Sequence, residues 1–558
     1  MEYLYLPLAD NVQELSSLYT SFQILISLSS THRSHSIFIY QIKHIPHKFY
    51  PRDISKFRDL QSVKFPKSFI SSNITILTNL KSLKFKNENM IHYLSKLTNL
   101  EYLPKLQYFI HLSYLSNLTK LKRWPRMGKH FNIMDISKLI AFSSMEYVST
   151  YSISDISELS QLTKLTNLKK IKTSLNINND INYIHSLTCI DISNRSVIIS
   201  NNFSLNKIRL HSPDYLHLDN CNKLKILDLW SVKCDFIFEN IPNVKTLLLR
   251  FILPSTIEKI LNYNCFRSVN YLYSNYESET CPRLYIPETL VNLQFLSVRK
   301  IPNIPMILQN KLTLLFIYCS EKETTLIDLK RFINLKSLTL SNVNIHNMNY
   351  LTNLEYLKSW ALNEIMDLSY HTSLTKLTVG GQDCYGLDRL NNLKKLNLTS
   401  FNKNVGFLKL FHLVRLTIHR IKNIKYFHKI FCQMGKLTSL IYLDLQAKNK
   451  KVHKYDITEY IFDLKYFSNL HKLEKLNINL QIINLFIFSH LKKLQVTIHE
   501  TCSNELAIDI ENLTNLRTLN INIEEEIDVV LCLTKLTRLN KIDGEYRYEK
   551  IILPKHLI

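Results

Sequence analysis

The chain is poor in glycine, with 7 in 558 residues, at positions 128, 380, 381, 386, 406, 435 and 544. A phosphate-cradling loop needs several glycines close together so that backbone amides can reach the anion, and neither G-x-G-x-x-G nor G-x-x-x-x-G-K-[ST] occurs. That excludes the common mononucleotide and dinucleotide chemistries. The 10 cysteines, at 189, 221, 234, 265, 281, 319, 384, 432, 502 and 532, contain no C-x-x-C pair. Scattered thiols argue against a disulfide framework and for a reducing, intracellular compartment. No apolar run reaches the length of a membrane-spanning helix, and Met1-Glu2-Tyr3-Leu4 lacks the basic-then-apolar profile of a signal peptide. A cytoplasmic chain with no membrane partner is expected. Also missing are G-x-S-x-G, H-E-x-x-H, usefully paired carboxylates and a cysteine with a histidine partner. Cys384, beside Gly380-Gly381, reads as a small buried or loop thiol. The expectation is therefore no enzyme and no cofactor.

What is present suits a folded chain: hydrophobic residues are 46% and charged residues 21%. The formal net charge is +24. Abundant Lys, Asn, Ile and Tyr beside scarce Gly, Ala and Pro match the codon bias of an AT-rich genome, which accounts for part of that charge.

Self-similarity dominates. Leu335-x-x-Leu338-x-Leu340 is followed by Leu354-x-x-Leu357, Leu374-x-x-Leu377-x-Val379, Leu393-x-x-Leu396-x-Leu398 and Leu413-x-x-Leu416-x-Ile418, in steps of 19, 20, 19 and 20 residues. Units in the same register begin near Leu60, Leu80, Leu100, Leu118, Met145, Leu168, Leu187, Leu205, Leu224, Val244, Val269, Leu293 and Leu312, and again near Leu440, Leu473, Leu491, Leu516 and Leu536, about 23 in all. Leu-Thr-Asn-Leu recurs at 77–80, 97–100, 165–168, 351–354 and 513–516. Asn-x-Ser/Thr triplets such as Asn117-Leu118-Thr119 and Asn512-Leu513-Thr514 fall inside this grammar and read as part of it.

This period and core resemble the short-repeat, intracellular branch of the leucine-rich-repeat family over about nine-tenths of the chain. The resemblance implies an α/β solenoid: a curved horseshoe with a parallel concave β-sheet and an irregular or short-helical convex side. Each L-x-L piece is a short strand with its apolar side chains on one face. The return segment buries positions such as Ile345, Met348 and Leu351. One unit cannot bury its own apolar face, so stability is a sum over stacked neighbours. Longer convex excursions are expected where the step grows to 27 before Leu440 and 33 before Leu473, around Lys448–Lys451 and His453–Tyr455.

Three segments follow: a helical N-terminal cap at 1–50, the array at 51–545 and a C-terminal cap at 546–558. In the first, Leu15, Leu18, Phe22, Leu25 and Ile26 carry a helical apolar stripe. With Leu6-Pro7-Leu8 before it and His32-Arg33 after, this stretch loosely resembles an F-box. Ala9 stands where that family has an acidic residue, and no Trp closes the motif. The resemblance implies that Leu6, Pro7, Leu15, Leu18, Phe22 and Leu25 dock on the adaptor of a cullin ubiquitin ligase while the repeats select a substrate. His32-x-x-His35 and His44-x-x-His47 have no thiolate beside them and read as solvated surface histidines, so no metal is expected.

Strand alternation turns the sequence into a contact map, with the third, fifth and seventh positions of each unit facing the concave side. Counted from Leu118, Leu224 and Leu354, the tryptophans Trp124, Trp230 and Trp360 share the seventh column. Exposed large aromatics are typical of binding hot spots. Tyr271, Tyr273, Phe295, Phe316 and Tyr318 are expected to form a patch flanked by Arg209, Arg250 and Arg299. Lysines also line this side, at 84, 86, 120, 122, 170, 172, 376, 395, 475 and 493. The function that follows is a protein-interaction scaffold. The alternative is a ubiquitin-ligase substrate adaptor, and a nucleic-acid-binding solenoid ranks third because no nucleic-acid motif accompanies the charge.

Overall fold

The computed structural model describes residues between 61 and 554 apart from connecting segments, the longest being 104–116, 124–143, 151–165 and 448–460; residues 1–60 lie outside the described residues. The F-box-like stretch, the paired histidines and Lys448–Tyr455 therefore fall outside them, whereas the longer step before Leu440 includes a helical turn at 430–434. The chain divides into two compact units, Met1–Leu293 with Pro302–Pro305, and Gln294–Ile301 with Met306–Ile558.

In the first unit, strands stack in parallel in chain order. Tyr147–Thr150 pairs with Lys170–Thr173, then come Cys189–Ser193, Lys207–His211, Ile226–Trp230, Thr246–Arg250 and Tyr271–Asn275. Upstream, Ser62–Lys64 pairs with Ser82–Lys84, and single bridges carry the ladder on through Tyr102 and Arg123 to Tyr147. The second unit builds its sheet the same way, from Phe295–Val298 through Leu314–Tyr318 and Ser337–Ser341 to Thr518–Ile523 and Lys541–Asp543.

The apolar repeat positions explain the stacking. Leu335, Leu338, Leu340 and Leu351 are 0% exposed, and so are their counterparts Leu205, Ile208 and Leu210. Burying each such side chain contributes roughly 1.5–3 kcal/mol, which an isolated strand has no means of gaining. Met348 is also buried, whereas Ile345 is only half-buried.

The asparagine before a unit's first leucine, in the Leu-Thr-Asn-Leu tetrads and in Leu390-Asn391-Asn392-Leu393, has a second role. Asn99 Nδ2 donates to the Thr78 carbonyl at 2.7 Å, Asn353 to Ile333 at 3.1 Å, Asn392 to Thr372 at 2.9 Å and Asn515 to Ser489 at 3.0 Å. Each bond ties one unit's turn to the preceding one and satisfies a carbonyl that the turn leaves free.

Two first positions differ from the sequence expectation. Arg123 bridges Tyr102, and Lys541 pairs with Thr518, so those units count from Leu121 and Leu539 rather than Leu118 and Leu536. The side chains agree, because Lys120 takes the place of the tetrad asparagine and donates to Asn99 Oδ1 at 2.6 Å. In Leu118-x-x-Leu121 and Leu536-x-x-Leu539 the first leucine belongs to the turn and the second opens the repeat unit, as the bonds from Leu121 N–H to the Leu118 carbonyl and from Leu539 N–H to the Leu536 carbonyl show.

The return side of the first unit is more regular than expected. Ile177–Asn178, Ser196–Ser200, Tyr215–Asp219 and Asp235–Glu239 form a second, four-stranded parallel sheet. Beyond it the next return is the helix Pro254–Leu261, and Tyr263 Oη donates to the Phe236 carbonyl at 2.8 Å. The second unit's returns include short 3-10 turns, such as Met348–Tyr350 and Leu387–Arg389, two-stranded pairings such as Leu326–Asp328 with Asn344–His346, and helices, Ser503–Glu511 among them.

The corners carry left-handed backbone without glycine. Asn201, Asn220 and Asn240 have φ of 57°, 51° and 48°, and Ser212, Ser231 and Phe251 have 50°, 49° and 55°. Asparagine tolerates this region because its amide bonds locally. Here Asn220 Nδ2 donates to the neighbouring Asp219 Oδ2 at 3.0 Å and to Asn201 Oδ1 of the preceding unit at 2.9 Å. Serine gains less, so Ser231→Gly is expected to raise the unfolding free energy by about 0.5–1 kcal/mol and Ser231→Val to lower it. Denaturant midpoints of the two variants check this.

Candidate functional site

The open face of the first sheet is built from alternate strand residues, as in the half-buried, buried, half-buried pattern of Lys207–His211. Because neighbouring strands pair in register, equivalent positions form rows across the sheet. The middle row runs Lys172, Asp191, Arg209, Asp228, Leu248 and Tyr273. The row beside it runs Ser193, His211, Trp230, Arg250 and Asn275.

Charge alternates along the middle row, and the two carboxylates organise it. Asp228 is 0% exposed and accepts from Arg209 Nε at 2.8 Å on one oxygen and from Arg250 Nε at 3.0 Å on the other. Asp191 meets His211 Nε2 at 3.2 Å, Arg209 Nη1 at 3.5 Å and Lys172 Nζ at 3.7 Å. Burial opposes ionisation of Asp191, but the His211 hydrogen bond and the charges of Lys172, His211 and Arg209 outweigh it and hold the carboxyl below its ordinary value. Burial likewise disfavours the Arg209 cation, and Asp228 and Asp191 more than compensate, raising its pKa.

Arg250, so anchored, lies over two rings, with its guanidinium carbon 4.9 Å from the Trp230 centroid and 5.0 Å from that of Tyr273. His211 and Phe251 flank Trp230 at 5.1 and 5.7 Å. Trp230 remains half-exposed. The first unit thus brings Arg209, Arg250, Trp230 and Tyr273 into one cluster, with Tyr271 two residues away on the same strand. Asp191, Asp228 and His211 complete the cluster and were not anticipated. Their signal was in the sequence as Lys172, Asp191, Arg209 and Asp228, spaced by about one repeat each.

Trp124 lies outside the described residues. Among the described residues the column holds Trp230 and Trp360.

In the second unit Phe295, Arg299 and Phe316 are half-buried, and Tyr318 is 38% exposed. Phe316 pairs with Ser297 and Thr339, and Tyr318 with Ser341. Trp360 lies close against Gly380 of the next strand, since a Cβ added there would sit 2.9 Å from the indole. The Lys358 ammonium covers the ring at 4.0 Å. A row of cations follows, in which Lys376, Lys395 and Arg415 occupy adjacent strands, and Lys475 and Lys493 continue beyond Tyr442. Arg415 stacks on Tyr442 at 4.0 Å, and Tyr442 Oη donates to Asp444 at 2.9 Å.

Apolar L-x-x-L-x-L positions thus stack in parallel, in register, at a period of about 20 residues, with turn asparagines bonding unit to unit. Both units have the leucine-rich-repeat fold. No protein-family profile matches the sequence, and no curated protein does. Among solved structures the chain is similar to the leucine-rich-repeat ectodomain of the Arabidopsis thaliana receptor kinase GASSHO1/SCHENGEN3 in complex with CASPARIAN STRIP INTEGRITY FACTOR 2, at 14% identity, covering 90% of this chain and 77% of that one, with a TM-score of 0.34. It is also similar to the Leptospira interrogans leucine-rich-repeat protein LIC12759, at 13% identity over 88% and 90% of the two chains with a TM-score of 0.24. A third is the functional domain of InlJ from Listeria monocytogenes, at 14% identity over 79% of each chain with a TM-score of 0.27. The leucine-rich-repeat assignment rests on the register of this chain's own strands. Among the described residues, no helix is long and apolar enough to cross a membrane.

Proposed function

We propose that this leucine-rich-repeat chain is a protein-interaction scaffold, and that a protein partner sits on the open face of the first sheet around Trp230, Arg250 and Tyr273. The observation that carries the reading is the clamped cluster itself. Trp, Tyr and Arg are the side chains that dominate interface energetics, and here a buried carboxylate holds the arginine in place over both rings before any partner arrives. Ordering these groups in advance removes an entropy cost from binding. Tyr271, Arg209 and, in the second unit, Phe295, Arg299, Phe316, Tyr318 and Trp360 extend the candidate surface on their own sheets.

Free thiols at Cys189, Cys221, Cys265, Cys319, Cys384, Cys432 and Cys532 support an intracellular, cytoplasmic setting. Burial pushes the Cys221 thiol up to about 11 and that of Cys265 up to about 12, so both stay protonated and unreactive at neutral pH.

Affinity capture tests the scaffold. Trp230→Ala with Tyr273→Ala is expected to weaken the partner by at least about 2 kcal/mol and so remove it from the captured set, while circular dichroism stays native. An unchanged set would rule out this surface.

A second reading rests on Leu6-Pro7 and the stripe Leu15, Leu18, Phe22 and Leu25, which favour an F-box-type adaptor upstream of the repeats. Capture of a cullin-ligase adaptor by the full chain, and its loss on deletion of residues 1–50, would support it. No such complex with the full chain would end it.

A further inference from the structure

The two sheets treat charge differently. In the first unit the cations of the middle row are answered strand by strand, Lys172 and Arg209 by Asp191, and Arg209 and Arg250 by Asp228, and in the row before it Lys170 and Lys207 are kept apart by Cys189 on the strand between them. In the second unit Lys376, Lys395 and Arg415 face outward from three adjacent strands, about 4.8 Å apart, with no carboxylate on those strands. All three are exposed, and Lys493, farther along the same row, is exposed too.

This arrangement is not forced by a shortage of acid. One position earlier in the repeat, the same unit sets Glu355 against Lys336 at 3.2 Å and Glu474 against Lys492 at 2.5 Å. Like charges directly opposite one another across strands are unfavourable. The row therefore holds a repulsion that an anionic ligand would relieve, and next to it the half-buried Thr378 and Asn397 bring a hydroxyl and an amide from two of the same strands.

We propose that the row Lys376, Lys395 and Arg415 binds an acidic segment of a protein partner, laid across the strands of the second unit. This deepens the scaffold reading and rests on it. A polypeptide is favoured over a nucleic acid because a cation of this chain already occupies one face of each flanking ring. Arg415 covers Tyr442 at 4.0 Å, and Lys358 covers Trp360 at 4.0 Å. Single-stranded nucleic acid needs both cations and open aromatic faces.

Fluorescence anisotropy of the full chain with a labelled oligoglutamate peptide, at about 0.02 M ionic strength where screening is weak, tests this directly. Binding is expected, falling as salt rises. Reversing the row with Lys376→Glu, Lys395→Glu and Arg415→Glu is expected to weaken it at least ~10-fold, while the same number of reversals at Lys223, Lys225 and Lys245 in the first unit changes it less than ~2-fold. Should the reversed variant lose its circular dichroism, the glutamine triple at the same three positions replaces it, with a smaller but measurable loss expected. Three results would overturn the proposal: no binding at low salt, equal weakening by both charge-reversed triples, or tighter binding of an oligothymidylate that depends on the same residues. A defined peptide is the probe, so failure here leaves the capture experiment on Trp230 and Tyr273 standing, and failure there leaves this one standing.

Discussion

Replacing Asp228 with alanine is expected to lower the unfolding free energy by about 3 kcal/mol, read from the denaturant midpoint. The carboxylate is fully buried and has a guanidinium on each oxygen. Removing it leaves Arg209 and Arg250 partly desolvated and facing one another with one negative group fewer. Their side chains keep 33% and 28% exposure, so both retain a path to water, and the loss falls at the low end of what breaking a buried pair costs. Asp228→Asn retains the shape and one acceptor and is expected to cost less. The substitution also frees Arg250 from Trp230 and Tyr273, so partner binding should weaken at temperatures where the sheet is intact. An unchanged midpoint would mean that the arginines turn out to solvent without penalty and that the cluster is not pre-ordered.

His371→Leu is expected to stabilise the second unit by about 1–2 kcal/mol at neutral pH and by more at pH 5 to 6. His371 is 0% exposed and occupies a turn position held by Leu351, Leu390 and Leu410 in neighbouring units. The backbone is the same there, since Leu374 N–H donates to the His371 carbonyl at 3.0 Å as Leu393 does to Leu390. Its Nδ1 donates to the Leu351 carbonyl at 3.1 Å, and its Nε2 has no partner. Burial is the largest influence and pushes the imidazole below its ordinary 6.5, against the smaller opposing effects of the Leu351 bond and Asp367. The sign follows from linkage. Above 6.5 neither state takes the proton, and below it the unfolded chain does so first, so stability falls with pH until the lowered folded value is reached. Asp191 acts later, because its carboxyl lies below the ordinary 3.8 and its contribution is lost only as pH falls through that range. Midpoints at pH 8 and pH 5.5 separate the cases. An equal gain at both would show that His371 titrates as in the unfolded chain.

The leucine pattern alone located most strands of both sheets, because a residue such as Leu338 or Leu396 is specified by burial that depends only on its place in the repeat. The two slips, at Leu118 and Leu536, have one cause: a leucine three residues ahead of the strand satisfies the same spacing, and only the turn bond that follows tells the two apart. The second sheet was legible in hindsight as Val197-Ile199, Leu216-Leu218 and Phe236-Phe238, which alternate within a stretch set aside as irregular. Asp191 and Asp228 were overlooked for a different reason. A charge on an open strand face looks solvated when its unit is taken alone, and its partners lie about one repeat away in sequence.

The bond from Tyr263 Oη to the Phe236 carbonyl bears on how such a stack avoids joining another copy of itself. The strand Asp235–Glu239 is the last of its four-stranded sheet, and an outermost strand offers unpaired backbone groups that can template a further strand from any chain. Tyr263 takes one of those carbonyls, while its ring packs against Phe236 and Phe238 at 5.9 and 5.3 Å. Asp235 and Glu239, exposed at the two ends of the same strand, would repel an identical one. The change from strand to helix after residue 239 therefore ends the sheet where aggregation would otherwise begin.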